Sequence, residues 1–123
     1  MKCLFCDIVN KKIPTEFIYE DKYVAVFLDI NPESSGHTLI VPKKHIKDFP
    51  EISLVELHHI NTAAKFVYEA IIRALSPSGI KLVQNNGSFQ EIPHYHLHLV
   101  PGYKKDPNLD LDAIRELLKK QLI

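Results

Sequence analysis

The order of local patterns in this chain predicts an α+β fold: an antiparallel sheet with one long helix packed on it and short helices towards the N- and C-termini. Three observations predict it. Short runs rich in β-branched and aromatic residues recur between turn clusters. A single stretch after Ser53 keeps apolar residues at helical spacing for about five turns. Strands and helices do not alternate in the regular way that a parallel sheet requires. With 123 residues and no repeat, linker or low-complexity stretch, residues 1–123 are expected to form a single domain.

Leu4, Phe5, Ile8 and Val9 make a short helical pattern that Pro14 ends, with Cys3 and Cys6 at its leading edge. Residues 16–20 and 23–29 read as an antiparallel hairpin around the polar Glu20-Asp21-Lys22. After the turn cluster Asn31-Pro32-Glu33-Ser34-Ser35-Gly36, a strand runs from His37 to Val41 and stops at Pro42. Ser53 and Glu56 have the form of a capping box. Behind them Leu57, Ile60, Ala64, Val67, Ile71 and Ala74 follow at spacings of three and four, until Ser76-Pro77-Ser78-Gly79 ends the helix. Ile80 to Val83 is a further strand, Asn85-Asn86-Gly87-Ser88 a turn, and His94 to Val100 the last strand before Pro101-Gly102. A shorter helix is expected from about Leu111 to Leu122.

Lysine plus arginine equals aspartate plus glutamate at 15 each, so the summed charge exerts no general pull on nucleic acid or an anionic membrane. Any anion site must be local. The longest apolar run, Tyr23 to Leu28, is far short of the roughly 20 residues that cross a bilayer. A leader would need an apolar stretch of about 7–15 residues, and Asp7 interrupts the one that follows Lys2. The expected address is therefore the cytoplasm. There, a Cys-x-x-Cys pair such as Cys3 and Cys6 signals either a metal site or a redox couple. The redox reading wants a preceding strand and a longer helix, so metal is the better supported of the two.

The run His94-Tyr95-His96-Leu97-His98-Leu99-Val100 carries the chemistry. Alternation along a strand puts its three histidines on one face and Tyr95, Leu97 and Leu99 on the core face. At roughly 3.3 Å per residue, the outer two lie about 13 Å apart. Metal-ligand nitrogens sit about 2.0–2.1 Å from a zinc ion, so one metal cannot gather all three rings. Separate roles along the row remain, and a neutral imidazole serves as nucleophile or proton carrier near pH 7. A lone histidine here would be an ordinary solvated side chain; three of the chain's seven in strict alternation argue otherwise.

This row resembles the signature of the histidine triad family, His, apolar, His, apolar, His and two apolar residues, with Tyr95 counted as apolar. Phe27-Leu28-Asp29-Ile30, Gly36 to His45, and Asn85-Asn86-Gly87 with Gln90 resemble further blocks of that family, so the likeness covers about residues 3–101. It implies a nucleotide hydrolase or transferase acting on the α-phosphate of adenosine phosphoramidates or dinucleoside polyphosphates. His96 would attack phosphorus to form a nucleotidyl-histidine, and His98 and His37 would bind phosphoryl oxygens or move a proton. By the same resemblance, Asn85 and Gln90 would lie near the phosphate or leaving group. Asp29 would accept from ribose hydroxyls, and Phe5, Ile8, Ile13 and Phe27 would enclose a purine base. Taken alone, Asn85 is also turn chemistry, Asp29 a turn cap and each apolar residue core.

Zinc needs two ligands beyond the cysteines. His58 and His59, about 100° apart on the long helix, cannot share one site and are expected to be solvated. Zinc-containing bacterial members of the family, and the related galactose-1-phosphate uridylyltransferases, use a histidine and the histidine two before the nucleophile. The resemblance thus implies a structural Zn2+ on Cys3, Cys6, His45 and His94, which removes His94 from proton relay. It also implies a homodimer; the long helix's apolar face fits that as well as it fits internal packing. The chain departs from many relatives in having only Ser88-Phe89 between Gly87 and Gln90, and in lacking tryptophan. These departures leave the leaving group open. Two rivals stand beside the hydrolase: a non-catalytic, zinc-stabilised nucleotide-binding interaction protein, and a nucleotidyltransferase with phosphate as acceptor.

Overall fold

A computed structural model describes residues 3–122; Met1, Lys2 and Ile123, and with Lys2 part of the leader reading, lie outside the described residues. Five strands form one antiparallel sheet in the order β1-β2-β3-β5-β4, with β1 at Tyr19–Glu20, β2 at Val24–Leu28, β3 at Thr38–Pro42, β4 at Gly79–Gln84 and β5 at Leu97–Gly102. The helices are α1 (Leu4–Val9), α2 (Leu54–Leu75) and α3 (Leu111–Gln121). The expected α+β fold is the observed one.

Each element ends where local chemistry stops it. Asp21 turns the β1–β2 hairpin by accepting the N–H groups of Tyr23 and Val24 at 2.7 and 2.9 Å. Ser53 caps α2 through the Glu56 N–H at 3.1 Å, and Ser76, left-handed at φ 47°, closes it ahead of Pro77. Asp110 caps α3 in the same way, at 2.8 Å from the Ala113 N–H.

The sheet separates two apolar clusters. On one face Val24, Val26, Leu28, Ile40, Leu97 and Leu99 pack against Ile60, Ala64, Val67 and Ile71 of α2 and Ile114 and Leu118 of α3. On the other, Ala25, Phe27, Leu39 and Val41 meet Phe5, Ile8 and Val9 of α1. Both faces of β2 and β3 are covered, which is why these strands are buried at every position and, apart from Thr38, apolar rather than alternating.

The last strand begins later than the histidine pattern predicts, at Leu97 rather than His94. Its register with β3 would set Tyr95 opposite Pro42, which has no N–H to donate. The ladder stops there. The Tyr95 N–H goes instead to the Ile46 carbonyl at 2.7 Å, and the Pro42 carbonyl accepts from the His94 ring at 2.8 Å. Residues 16–18 likewise fall outside β1, although the Ile18 N–H still bonds Val26 at 2.8 Å.

Gly36 occupies the turn before β3 at φ +88°, and an added Cβ would lie 2.6 Å from Leu75 Cδ1 and 3.3 Å from Pro101 Cγ. Gly36→Ala is expected to lower unfolding free energy by about 1–3 kcal/mol. Gly79→Ala, where a Cβ meets nothing within 4 Å, should stay within about 0.5 kcal/mol of the parent. Urea denaturation followed by circular dichroism measures both.

Candidate functional site

The residues before β5 hold the centre of the site. The His94 Nε2–H donates to the Pro42 carbonyl at 2.8 Å, which leaves Nδ1 as a lone pair. That lone pair faces Cys3 Sγ at 3.4 Å and Cys6 Sγ at 3.5 Å, while His45 Nδ1 lies 3.1 Å from Cys6 Sγ. The four ligand atoms all lie within 4.8 Å of one another. In tetrahedral zinc the sulfur-to-nitrogen edge is about 3.5 Å, so the set fits that ion. Burial, then the neighbouring Cys3, pushes the Cys6 thiol up to about 11, so a thiolate there calls for a compensating cation.

The His94 carbonyl accepts from His96 Nδ1 at 2.7 Å. A carbonyl only accepts, so Nδ1 carries the hydrogen and His96 Nε2 keeps its lone pair. The Phe5 ring stands edge-on to His96 at 5.0 Å and to His94 at 5.9 Å between centroids, and closes on Phe27 at 5.7 Å.

A second chain of hydrogen bonds begins in the turn before β3. The Glu33 N–H donates to His37 Nδ1 at 3.1 Å, so the hydrogen of His37 sits on Nε2. That Nε2–H donates to His98 Nδ1 at 2.9 Å and leaves His98 with its hydrogen on Nε2. Asp29 Oδ2 is 3.6 Å from the same His37 nitrogen. Asp29, His37 and His98 also converge closely enough to suggest a metal, but the hydrogen on His37 Nε2 makes them a proton network instead.

Burial is the first cause of every histidine shift here. It holds His37, His94 and His96 below the ordinary imidazole value, and for His96 it outweighs the bond to His94 and the pull of Asp29 and Glu91. His98, also beside His96 and His37, is lowered to about 4. All four rings are neutral at pH 7.

His37, His96 and His98 line a cavity of about 640 Å³ together with Asp29, Asn85, Phe5, Ile8, Ile13 and Phe27. Every residue expected around a nucleotide is therefore brought together except Gln90. Its side-chain amide instead donates to the Lys47 carbonyl at 2.5 Å, and with Asn86 accepting the Phe49 N–H at 2.9 Å the loop is tied to the 47–49 segment. Asp29 does cap its turn, accepting the Asn31 N–H through Oδ1 at 2.9 Å, and keeps Oδ2 for the cavity side. His59, expected in solvent, stacks on Tyr23 at 3.7 Å with an interplanar angle of 7°.

Leu39, Val83, Glu91 and Ile92 also line the cavity and were not expected. Leu39 had a signal, since it alternates with His37. Val83 becomes a neighbour through its register opposite His98, which no local pattern reveals.

Residues 10–105 match the HIT domain family. The chain is 40% identical to an uncharacterised HIT-like protein of Methanocaldococcus jannaschii over 95% of this chain and 98% of that protein. It is 36% identical to an adenosine 5′-monophosphoramidase of Saccharomyces cerevisiae over 98% and 80% of the respective chains. A zinc-bound histidine triad family protein of Mycobacterium smegmatis superposes with a TM-score of 0.90 at 32% identity, covering 99% and 94%. Among the described residues, no helix is long and apolar enough to cross a membrane.

The depressed value of His98 makes stability depend on acid. An unfolded imidazole titrates near 6.5 and the folded one at about 4, so between these values the unfolded chain binds more protons. Stability present above about pH 6.5 is expected to fall as pH drops towards 4. Thermal melts across that window should show a shallower fall for His98→Asn than for the parent; equal slopes would refute the assignment.

Proposed function

The chain belongs to the HIT domain family, and on that premise we propose that it is a nucleotide hydrolase acting at the α-phosphorus of adenosine phosphoramidates or dinucleoside polyphosphates. The observation that carries this reading is the unprotonated Nε2 of His96, held by the His94 carbonyl in a cavity with an apolar wall and a carboxylate. A buried neutral imidazole of fixed tautomer is a competent nucleophile.

In the proposed reaction, a purine lies among Phe5, Ile8, Ile13 and Phe27, and Asp29 accepts from the ribose hydroxyls. His96 Nε2 forms a bond to phosphorus while the bond to the leaving group breaks, its electron pair departing with that group. The leaving group takes a proton from solvent as it departs, and the His98 Nε2–H, supported by the His37 Nε2–H on His98 Nδ1, donates a hydrogen bond to it. Water then adds its oxygen to phosphorus, the bond to His96 Nε2 breaks with its electron pair returning to the ring, and the water's proton goes to solvent. Asn85 is a neutral donor for the phosphoryl oxygens. Gln90 joins the leaving-group side only if it exchanges its bond to Lys47 for one to substrate.

Cys3, Cys6, His45 and His94 would hold a structural zinc ion. When bound, it supplies the positive charge that two buried thiolates need and leaves no open position for substrate. A cytoplasmic setting, which keeps thiols reduced, suits this ligand set. A homodimer is the proposed assembly, supported by the unpaired outer edge of β4 and by Leu82 and Phe66, each 51% exposed.

Incubation with adenosine 5′-phosphoramidate, an alkaline quench and peptide mass analysis should find adenylyl on His96. His96→Ala should lose the adduct and lower turnover by at least about a thousandfold. An adduct and turnover that survive the substitution would sink the mechanism. Nucleotide binding without any adduct would favour the interaction protein instead.

Zinc is tested apart from activity. Cys3→Ser and Cys6→Ser are each expected to lose the metal by elemental analysis and to melt at lower temperature. Unchanged metal content would overturn the ligand assignment.

A further inference from the structure

The turn that donates to His37 is held from outside the cavity. The Ser35 N–H donates to Asp106 Oδ2 at 2.9 Å, and the Ser35 hydroxyl donates to Asp106 Oδ1. The Tyr103 hydroxyl donates to the Ser35 carbonyl at 2.7 Å, and the Ser34 hydroxyl to the Pro101 carbonyl. Asp106 is itself fixed by the Asn108 N–H at 2.8 Å. Ser35 is buried at 6% exposure, so its polar groups depend on these partners rather than on water. Asp106 does not line the cavity.

This latch acts on the turn at one place that matters for chemistry. The Ser34 carbonyl accepts the His37 N–H at 3.2 Å, and the preceding Glu33 N–H is the donor that reaches His37 Nδ1. That bond makes His37 Nδ1 an acceptor and so places the ring's hydrogen on Nε2, the side that Asp29 Oδ2 also faces at 3.6 Å. If the turn slackens, His37 is free to take the other tautomer. Its Nε2 then turns a lone pair on His98 Nδ1, and His98 must move its own hydrogen from Nε2 to Nδ1. The hydrogen aimed at the leaving group is lost.

We propose that Asp106, acting through Ser35 and the Glu33 N–H, is a positioning residue that sets the tautomers of His37 and His98. It presupposes the phosphoryl-transfer chemistry at His96. The adjacent Tyr103 shares the task from the other side of Ser35. The carboxylate is suited to it because two oxygens take both Ser35 donors at once, a grip that a single hydroxyl or carbonyl cannot provide.

The test combines kinetics with histidine 15N NMR on the full chain. In the parent, His37 and His98 should each show one tautomer with the hydrogen on Nε2. Asp106→Ala should convert both to tautomer mixtures and lower kcat by about tenfold or more, with KM for adenosine 5′-phosphoramidate changed less than about twofold. Asp106→Asn, which keeps one acceptor, should recover part of both effects. Should Asp106→Ala fail to fold, Tyr103→Phe deletes a single hydroxyl and is expected to move the same two readouts in the same direction. Lower kcat with the parent's tautomers would reduce Asp106 to a brace for the C-terminal segment and overturn the proposal. So would tautomer mixtures with unchanged kcat. Tautomers that respond to Asp106 in a chain that never adenylylates His96 would refute the reaction at His96 while upholding the control of His37.

Discussion

The hydrogen bond from His94 Nε2 to the Pro42 carbonyl is the constraint on which the rest of the site depends. Pro42 cannot donate, so the β3–β5 ladder ends where its carbonyl would otherwise meet Tyr95. The freed carbonyl takes the His94 ring, and three consequences follow from one residue. The ring's other nitrogen is turned to the cysteines, its main-chain carbonyl to His96, and its orientation is locked in a fully buried position. A regular strand through His94 would have satisfied the same backbone groups with a ladder and provided none of these orientations.

Division of labour among the histidines then follows from what each nitrogen touches. His94 and His96 are neighbours in sequence, yet one faces sulfur and the other the cavity, with the Phe5 ring set against both. The His96 and His98 rings lie 4.8 Å apart between centroids, but they belong to different hydrogen-bond chains, one rooted in the His94 carbonyl and the other in the Glu33 N–H. Burial keeps the cluster neutral, because several imidazolium charges in this space would repel one another without water to screen them. Neutrality in turn gives the tautomers their importance: each ring has one hydrogen, and its place is set by a backbone group for His37, His94 and His96 and by the His37 ring for His98.

How much of this was legible in the sequence differs from residue to residue. The α+β order, the capped helix from Leu54 and the core face of Tyr95, Leu97 and Leu99 were readable because periodicity and capping are local. The Cys3, Cys6, His45 and His94 cluster was legible only through the resemblance, since the four are brought together by the sheet and by α1. The direction of Gln90 was not readable. Its neighbours form a turn by any rule, but the Lys47 carbonyl that captures it lies across the chain. The tautomers were equally hidden, because the groups that decide them are a peptide N–H and a carbonyl, and every residue has those.

Helix α1 ties the two halves of the site together. It is too short for its own hydrogen bonds to make it stable, and with six residues it would not persist in isolation. What keeps it in place is the packing of Phe5, Ile8 and Val9 on β2 and β3 and the convergence of Cys3 and Cys6 on His45 and His94. Phe5 and Ile8 are also cavity wall, so the same helix that carries two sulfur ligands shapes the space beside His96. The sulfur site can therefore be structural in position and still matter to the chemistry: a change in how Cys3 and Cys6 are held moves Phe5, and Phe5 lies against the imidazole whose lone pair the cavity presents.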